Sequence, residues 1–415
     1  MAGTANATDG YFQIGYGTIQ QSLAGAGVAH AEDAMALAVN PAGILDIGNQ
    51  FYVGATLINP TRGYTGTGTG FIAPGDHKSG RPIFGVPAAG YTYQIDGSSA
   101  VGIAIYGNGG INTTYKPFVS TAPACPGALG VFCSGKAGVD LEQAFVTVGY
   151  AHKFGSLSVG IAPVFAYQQF KAYGLAALAG GSSSPTNFSD NGYATSSGGG
   201  VRAGIQWNAA PGFNVGLTGS TPMYMSKFNK YSGLFANQGN FNIPGNIAFG
   251  VSYQITPTVT VLADYKRIFY SGVPSVGNAS NIALPFGVSG GPGFGWRDVD
   301  VFSIGAEWAA TSQLVLRAGY SHNTNPVRPR DAALNILAPG VITDHFTAGM
   351  SYAISNQMNL DLGGVYSPKH TVSGAVPAAF GGGTVSDYLS GFAVTAGLRY
   401  QFASATPGIF KGPKQ

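Results

Sequence analysis

Along most of the chain, large apolar side chains alternate with small or polar ones at a period of two. In "QLVLRAGY" Leu314, Leu316, Ala318 and Tyr320 share one face, while Gln313, Val315, Arg317 and Gly319 share the other. In "LSGFAVTAGLRYQF" Phe392, Val394, Ala396, Leu398, Tyr400 and Phe402 oppose Gly391, Ala393, Thr395, Gly397, Arg399 and Gln401. The stretches "NIAFGVSYQ" (246–254) and "DHFTAGMSYAI" (344–354) repeat the pattern. Successive side chains of a strand point to opposite faces, so this alternation predicts strands. Fourteen are expected, at 50–59, 86–96, 99–107, 139–154, 156–170, 198–208, 212–222, 244–255, 258–270, 298–309, 313–322, 342–354, 357–367 and 388–402.

The connections alternate as strictly as the side chains. Tight turns at "DGS" (96–98), "FGS" (154–156), "NAAPG" (208–212), "ITP" (255–257), "AATS" (309–312) and "ISNQ" (354–357) are separated by long Gly/Pro/Asn-rich loops. Those loops are 60–85, 108–138, 171–197, 223–243, 271–297, 323–341 and 368–387. Short turns at one end and long loops at the other are the layout of an up-and-down membrane barrel. The apolar face would meet lipid and end in an aromatic girdle, and the small, polar face would line a lumen.

Composition agrees. Charged residues are only 9% of the 415, against about 25% in soluble domains. No apolar run reaches the ~18 residues of a spanning helix. The net charge of +3 has no basic cluster behind it, so nucleic-acid binding is not indicated. Cys125 and Cys133 share one Pro/Gly-rich segment, "APACPGALGVFCSG", which fits a loop disulfide in an oxidising compartment. Two thiols with no histidine nearby make a poor zinc site. No apolar signal segment follows Met1, while Ala5-Asn6-Ala7 has the small residues of a cleavage site; a removed or replaced signal is expected.

A fourteen-stranded barrel is too wide to be filled by its own wall side chains. Residues 9–48 are mostly small and uncharged, with short helical tendencies broken by glycine, and would fit inside as a plug. Pro41 removes a backbone donor and pushes Asn40 out of the helical region, fixing a turn there. The expected organisation is a hatch over 1–48, a barrel over 49–402 and a polar tail over 403–415. The fold class is therefore all-β, a fourteen-stranded antiparallel transmembrane β-barrel with an N-terminal hatch of short helices inside the lumen.

The run "AGAGVAHAEDAMALAVNPAGI", with its Asn40-Pro41-Ala42, resembles the hatch of the FadL/TodX outer-membrane transport proteins. The segments "VDLEQAFVTVGYAHKFGSLSVGIAPVFAYQQF" (139–170) and "GWRDVDVFSIGAEWAATSQLVLRAGYSHNTNPV" (295–327) resemble the same family. The resemblance implies diffusion-driven uptake of hydrophobic molecules, long-chain fatty acids or related lipophilic compounds. Outer loops three and four would capture them, the lumen would bind them, the hatch would gate, and exit would be sideways through a kink in strand three. It implies a bacterial outer-membrane location, a channel rather than an enzyme, no cofactor, and a monomer meeting outer-membrane lipids and lipopolysaccharide, or detergent in vitro.

Candidate residues follow, each beside a plainer reading. Asn40, Pro41 and Ala42 gate the hatch or merely stop a helix. Gly107, Asn108, Gly109 and Gly110 form the kink or only start a loop. Leu175, Leu178, Leu234 and Phe235 are apolar in loops expected to face water, so they bind substrate or pack together as a lid. Arg202, Lys266, Arg317 and Arg399 fall on the lumen face. Arg202 and Arg317 are the candidates for holding a carboxylate; the plainer reading is ion pairs with Asp264, Glu307 or Asp361. His30, Glu32 and Asp33 read as hatch contacts rather than a metal or acid–base group, and no histidine spacing points to a metal. No Ser/His/Asp set has a recognisable context. Two rival functions remain: a channel specific for aromatic or aliphatic hydrocarbons, and a general diffusion porin, against which the low charge argues.

Overall fold

The computed structural model describes residues 9–80 and 83–402. Fourteen long strands follow one another in the order of the chain. The first seven are β1 (Gln50–Thr67), β2 (Phe84–Gln94), β3 (Ser99–Asn112), β4 (Gly138–Phe154), β5 (Leu157–Tyr173), β6 (Ala194–Ala210) and β7 (Phe213–Ser220). The second seven are β8 (Asn246–Thr256), β9 (Val259–Ile268), β10 (Val299–Ala309), β11 (Leu314–Asn323), β12 (Asp344–Ala353), β13 (Met358–Ala375) and β14 (Thr384–Gln401). Each pairs antiparallel with the next, and β14 returns to β1 in a register running from Gln50↔Gln401 to Thr67↔Thr384. The sheet is closed, which is the expected barrel. Short strands at Gly75–Lys78 and Tyr224–Met225 add to β1 and β6 in the loop region.

The alternation sorts as expected. Phe51, Val53, Leu57, Ile103, Ile105, Val148, Ile161, Phe165, Phe249, Phe302, Phe346 and Phe392 are exposed on the outer wall. A continuous apolar exterior of this kind would be a liability in water and is the normal surface in lipid.

Several strands run beyond their expected ends. β1 continues to Thr67 rather than 59, β13 to Ala375 rather than 367, and β14 begins at Thr384 rather than 388. Here the outward face turns polar or small, as with Thr61, Thr65, Ser373 and Ser386, while Tyr64, Val372 and Val385 stay buried inside, so the apolar-outward alternation is lost while the ladder of backbone hydrogen bonds persists. An 18-residue strand rises on the order of 40 Å when tilted about 45°, more than the ~30 Å hydrocarbon core. The long-loop end therefore projects well out of the membrane. There Cys125 and Cys133 are joined, with Cα atoms 6.1 Å apart. The expected tail, 403–415, lies outside the described residues, as do 1–8.

The hatch folds into the lumen as a short helix, α1 (Thr18–Ser22), and two 3₁₀ turns, Ala34–Ala38 and Pro41–Asp46. It sits tightly against the wall because wall positions facing it are glycine. A Cβ added at Gly149 on β4, Gly160 on β5, Gly204 on β6, Gly216 on β7, Gly319 on β11 or Gly349 on β12 would come within 2.5 Å of a hatch atom. Only a side chain without a Cβ allows so close a backbone approach.

Candidate functional site

The hatch is pinned at its turn-side end by a lattice of charges. Arg317 on β11 bonds Glu32 of the hatch and, through Nε at 2.7 Å, Glu307 on β10. Arg399 on β14 grips Asp361 on β13 with two bonds of 2.7 and 2.9 Å and donates to the Glu32 carbonyl at 3.3 Å. His30 bonds Glu32 at 2.7 Å. Burial favours the neutral imidazole, but Glu307 and Glu32 outweigh it and push the His30 pKa up to about 10. Ligand atoms of His30, Glu32 and Glu307 converge within 4.8 Å, yet the Arg317 guanidinium already bridges the two glutamates. The cluster is an ion-pair lattice in which cations and carboxylates balance.

Asn40 both stops one 3₁₀ turn and starts the next. Its Oδ1 accepts the Ala42 N–H at 3.1 Å, and Pro41 sits at the first position, where no N–H is needed. Its Nδ2 donates to the Val28 carbonyl at 2.8 Å and to the Ile205 carbonyl of β6 at 3.0 Å. One amide thus ties two parts of the hatch to the wall. Asp264, expected as an ion-pair partner, instead accepts the Gly27 and Val28 N–H groups at 2.7 and 2.9 Å. Lys266 pairs with Asp9 of the hatch at 2.6 Å.

The third strand carries a bulge. Gly107 faces Ala144 and Gly109 faces Gln143, so Asn108 is the extra residue. Asn108 is fully buried; its Oδ1 accepts from the Tyr16 hydroxyl at 2.7 Å, and its Nδ2 donates to Gln143 at 3.0 Å. The bent backbone meets the hatch directly. Gln13 N–H donates to the Asn108 carbonyl at 3.2 Å, and Gly110 N–H donates to the Tyr11 carbonyl at 3.1 Å. At Gly109 a Cβ would lie 1.8 Å from that Tyr11 oxygen.

On its other side β3 loses its neighbour. The β2–β3 ladder ends at Ala88↔Tyr106, while β3 continues to Asn112 and β2 reaches back to Phe84. Pro87, which has no N–H to donate, occupies the next position on β2. A window therefore opens in the pairing, and Arg62 of β1 closes its upper edge. That guanidinium reaches the Asn112 carbonyl at 2.5 Å and its Oδ1 at 2.8 Å, from inside the barrel.

Leu175 and Phe235 are not exposed as expected but are 1% and 3% accessible, and Leu178 and Leu234 are partly buried on the same core. The loops fold over the barrel mouth, and their apolar residues fill it. From there aromatic rings run inward at contact spacing: Phe170–Phe235 4.7 Å, Phe235–Phe241 4.9 Å, Phe241–Tyr11 6.2 Å and Tyr11–Phe12 5.5 Å. Phe12 bridges to Gly109 of the bulge, so the series ends at the window. Beside it a cavity of ≈ 50 Å³ is lined by Phe12, Ile14, Tyr16, Val39, Arg202 and Lys266, among others. Arg202 bonds the Ala38 carbonyl and, at 3.0 Å, the Tyr106 hydroxyl. Among the described residues it makes no ion pair. Of the two carboxylate candidates, Arg202 lines this cavity, whereas Arg317 lines no part of it and is occupied by two glutamates.

Sequence reasoning missed Arg62, Pro87 and the aromatic residues Tyr11, Phe12 and Phe241. A proline inside a strand pattern was the available signal for the end of pairing; nothing local marks an arginine that reaches across a strand.

Residues 236–402 match the family model described as outer membrane protein transport protein (OMPP1/FadL/TodX). No curated protein sequence matches the chain. The P. putida toluene transporter TodX is similar in structure, with a TM-score of 0.69 at 17% identity over 94% of this chain and 99% of that one. A Pseudomonas aeruginosa FadL homologue gives 0.71 at 15% identity over 95% and 100%. The Ralstonia pickettii toluene transporter TbuX gives 0.64 at 18% identity over 94% and 99%. The family match bears out the resemblance read from the sequence, and the structural matches bear out the barrel.

Proposed function

We propose that this FadL/TodX-type outer-membrane barrel carries hydrophobic molecules inward by diffusion and releases them sideways into the membrane. Capture is at the mouth formed by loops 171–197 and 223–243, passage is along the aromatic series, and exit is through the window between β2 and β3. The observation that carries the reading is the ladder break above Ala88↔Tyr106 beside the Asn108 bulge. An apolar solute gains nothing by leaving into water and gains free energy by entering lipid. The hatch, pinned by Asn40 and the charge lattice, makes the axial route the harder one.

Deleting Asn108 tests this. Without the extra residue the strand can straighten and pair with β2, and uptake of a labelled long-chain fatty acid into proteoliposomes should fall at least about tenfold, or ~1.4 kcal/mol. Asn108→Ala keeps the extra residue and should retain most uptake. Folding of both is read by the heat-dependent gel mobility of intact barrels. Full uptake by a folded deletion variant would sink the lateral route.

A second substrate reading, unsubstituted hydrocarbons, is supported by the aromatic lining. The carboxylate reading is supported by Arg202, a lumenal cation without an ion-pair partner among the described residues.

A further inference from the structure

The outer wall carries a cationic patch that the uptake pathway does not use. The outward face of β5 runs through Ile161, Phe165 and Tyr167, all exposed, and then changes character to Lys171 and Tyr173. Lys171 Nζ lies 4.2 Å from the ring centre of Tyr193 and 5.7 Å from that of Tyr173. Lys136 Nζ lies 5.3 Å from the Tyr173 ring, and Lys230 Nζ donates to the Tyr193 carbonyl at 2.9 Å. Three ammonium groups, from just before β4, the end of β5 and the loop 223–243, thus gather around two tyrosines. Three carboxylates are near, and one of them, Asp190, is exposed and accepts from the Gly174 N–H at 3.1 Å. Asp140 is fully buried beneath, accepting from the Tyr193 hydroxyl at 2.7 Å with Lys171 at 4.0 Å. Glu142 accepts from Gln169 at 2.6 Å. The exposed part of the patch holds Lys136, Lys230 and the Tyr193 ring against one exposed carboxylate, Asp190, and is cationic and aromatic on balance.

The vertical order fits an amphiphile. Acyl chains would lie along Ile161, Phe165 and Tyr167, and an anionic head would reach the ammonium groups directly above. Aromatic rings hold the lysines in place and offer flat faces to a sugar. The end that carries the long loops is the outer one, where the leaflet's phosphorylated glycolipid is lipopolysaccharide. We infer that Lys136, Lys171 and Lys230, with Tyr173 and Tyr193, form a docking site for the phosphorylated glucosamine head of one lipopolysaccharide molecule.

The test uses the full chain in detergent, titrated with defined bisphosphorylated lipopolysaccharide and followed by native mass spectrometry. The triple variant Lys136→Gln, Lys171→Gln and Lys230→Gln should bind at least about tenfold more weakly. Lys153→Gln, an exposed lysine at the opposite, turn-side end, should bind as the unaltered protein does. Chemically dephosphorylated lipopolysaccharide and phosphatidylglycerol should both bind weakly. Equal affinity in the folded triple variant, or equal affinity for either of those two lipids, would overturn the assignment. If the triple variant does not fold, Lys171→Gln alone must show a loss of about threefold or more, and no loss overturns it equally.

Discussion

At the scale of single residues, Arg202 is where the proposed carboxylate reading can be tested. It is 4% accessible, lines the small cavity beside Phe12, and is held by the Ala38 carbonyl and the Tyr106 hydroxyl rather than by a carboxylate. Burying a guanidinium with only neutral partners is unfavourable unless something compensates, and a ligand carboxylate would do so. Arg202→Met should therefore weaken binding of a long-chain acid by roughly ten- to a hundredfold, the ~1.5–3 kcal/mol of a charged hydrogen bond. Binding of the methyl ester and of toluene should hardly change. Measured by fluorescence displacement in detergent, equal losses for acid and ester would show that Arg202 packs the cavity and does not read charge. Arg317 and Arg399 illustrate the opposite case, since both are fully engaged with carboxylates and hatch atoms. Lumen-facing parity was legible in the sequence for all three arginines. Their different fates were not, because the Arg317–Glu32 pair spans 285 residues and exists only once the barrel has closed.

At the scale of elements, what could be read depended on which strand faces meet lipid. Where one face is apolar and the other small, as in β11 and β14 below Gly391, the alternation gave the strand directly. Above the membrane the outward face becomes Thr61, Thr65 and Ser386, the apolar-outward pattern is gone, and the strands continued unseen. "YGNGGIN" was ambiguous for a physical reason: a glycine-rich bulge and the start of a loop have the same composition, and they differ only in whether a neighbouring strand continues. The glycines facing the hatch are scattered singly over many strands, so no local pattern reveals that they share one surface. Gly204 offers the sharpest test of that surface, since an added Cβ would lie 2.1 Å from Asn40 Oδ1. Gly204→Ala should push Asn40 off the Ile205 carbonyl and lower stability by about 1–3 kcal/mol through overpacking. Gly85→Ala on β2, where the nearest atom would be Leu57 Cδ2 at 3.6 Å, should be nearly neutral. Thermal unfolding in detergent compares the two. Equal melting temperatures would mean that the hatch does not press on the wall at this point.

At the scale of the whole molecule, a wide barrel is made selective by filling it, and the filling is held by both neutral and ionic contacts. Neutral contacts at Asn40 and the glycine surface seat the hatch against β4–β7, β11 and β12, and the Glu32–Arg317–Glu307 lattice ties it to β10 and β11. A general porin would need the reverse, an open watery bore with a charged constriction. In planar bilayers the protein should therefore show no steady ion current. Arg317→Met removes the only cation that touches both Glu32 and Glu307 in the ion pairs among the described residues, apart from His30. Stranding a buried charge in this way costs about 3–5 kcal/mol, enough to loosen the hatch locally without opening the hydrogen-bonded wall. Brief current bursts should appear in Arg317→Met, and the gel mobility of the folded barrel should be kept. A large steady current through the unaltered protein would replace the plugged channel with a porin. A quiet Arg317→Met would move the work of holding the hatch from the ionic lattice to the neutral contacts around Asn40.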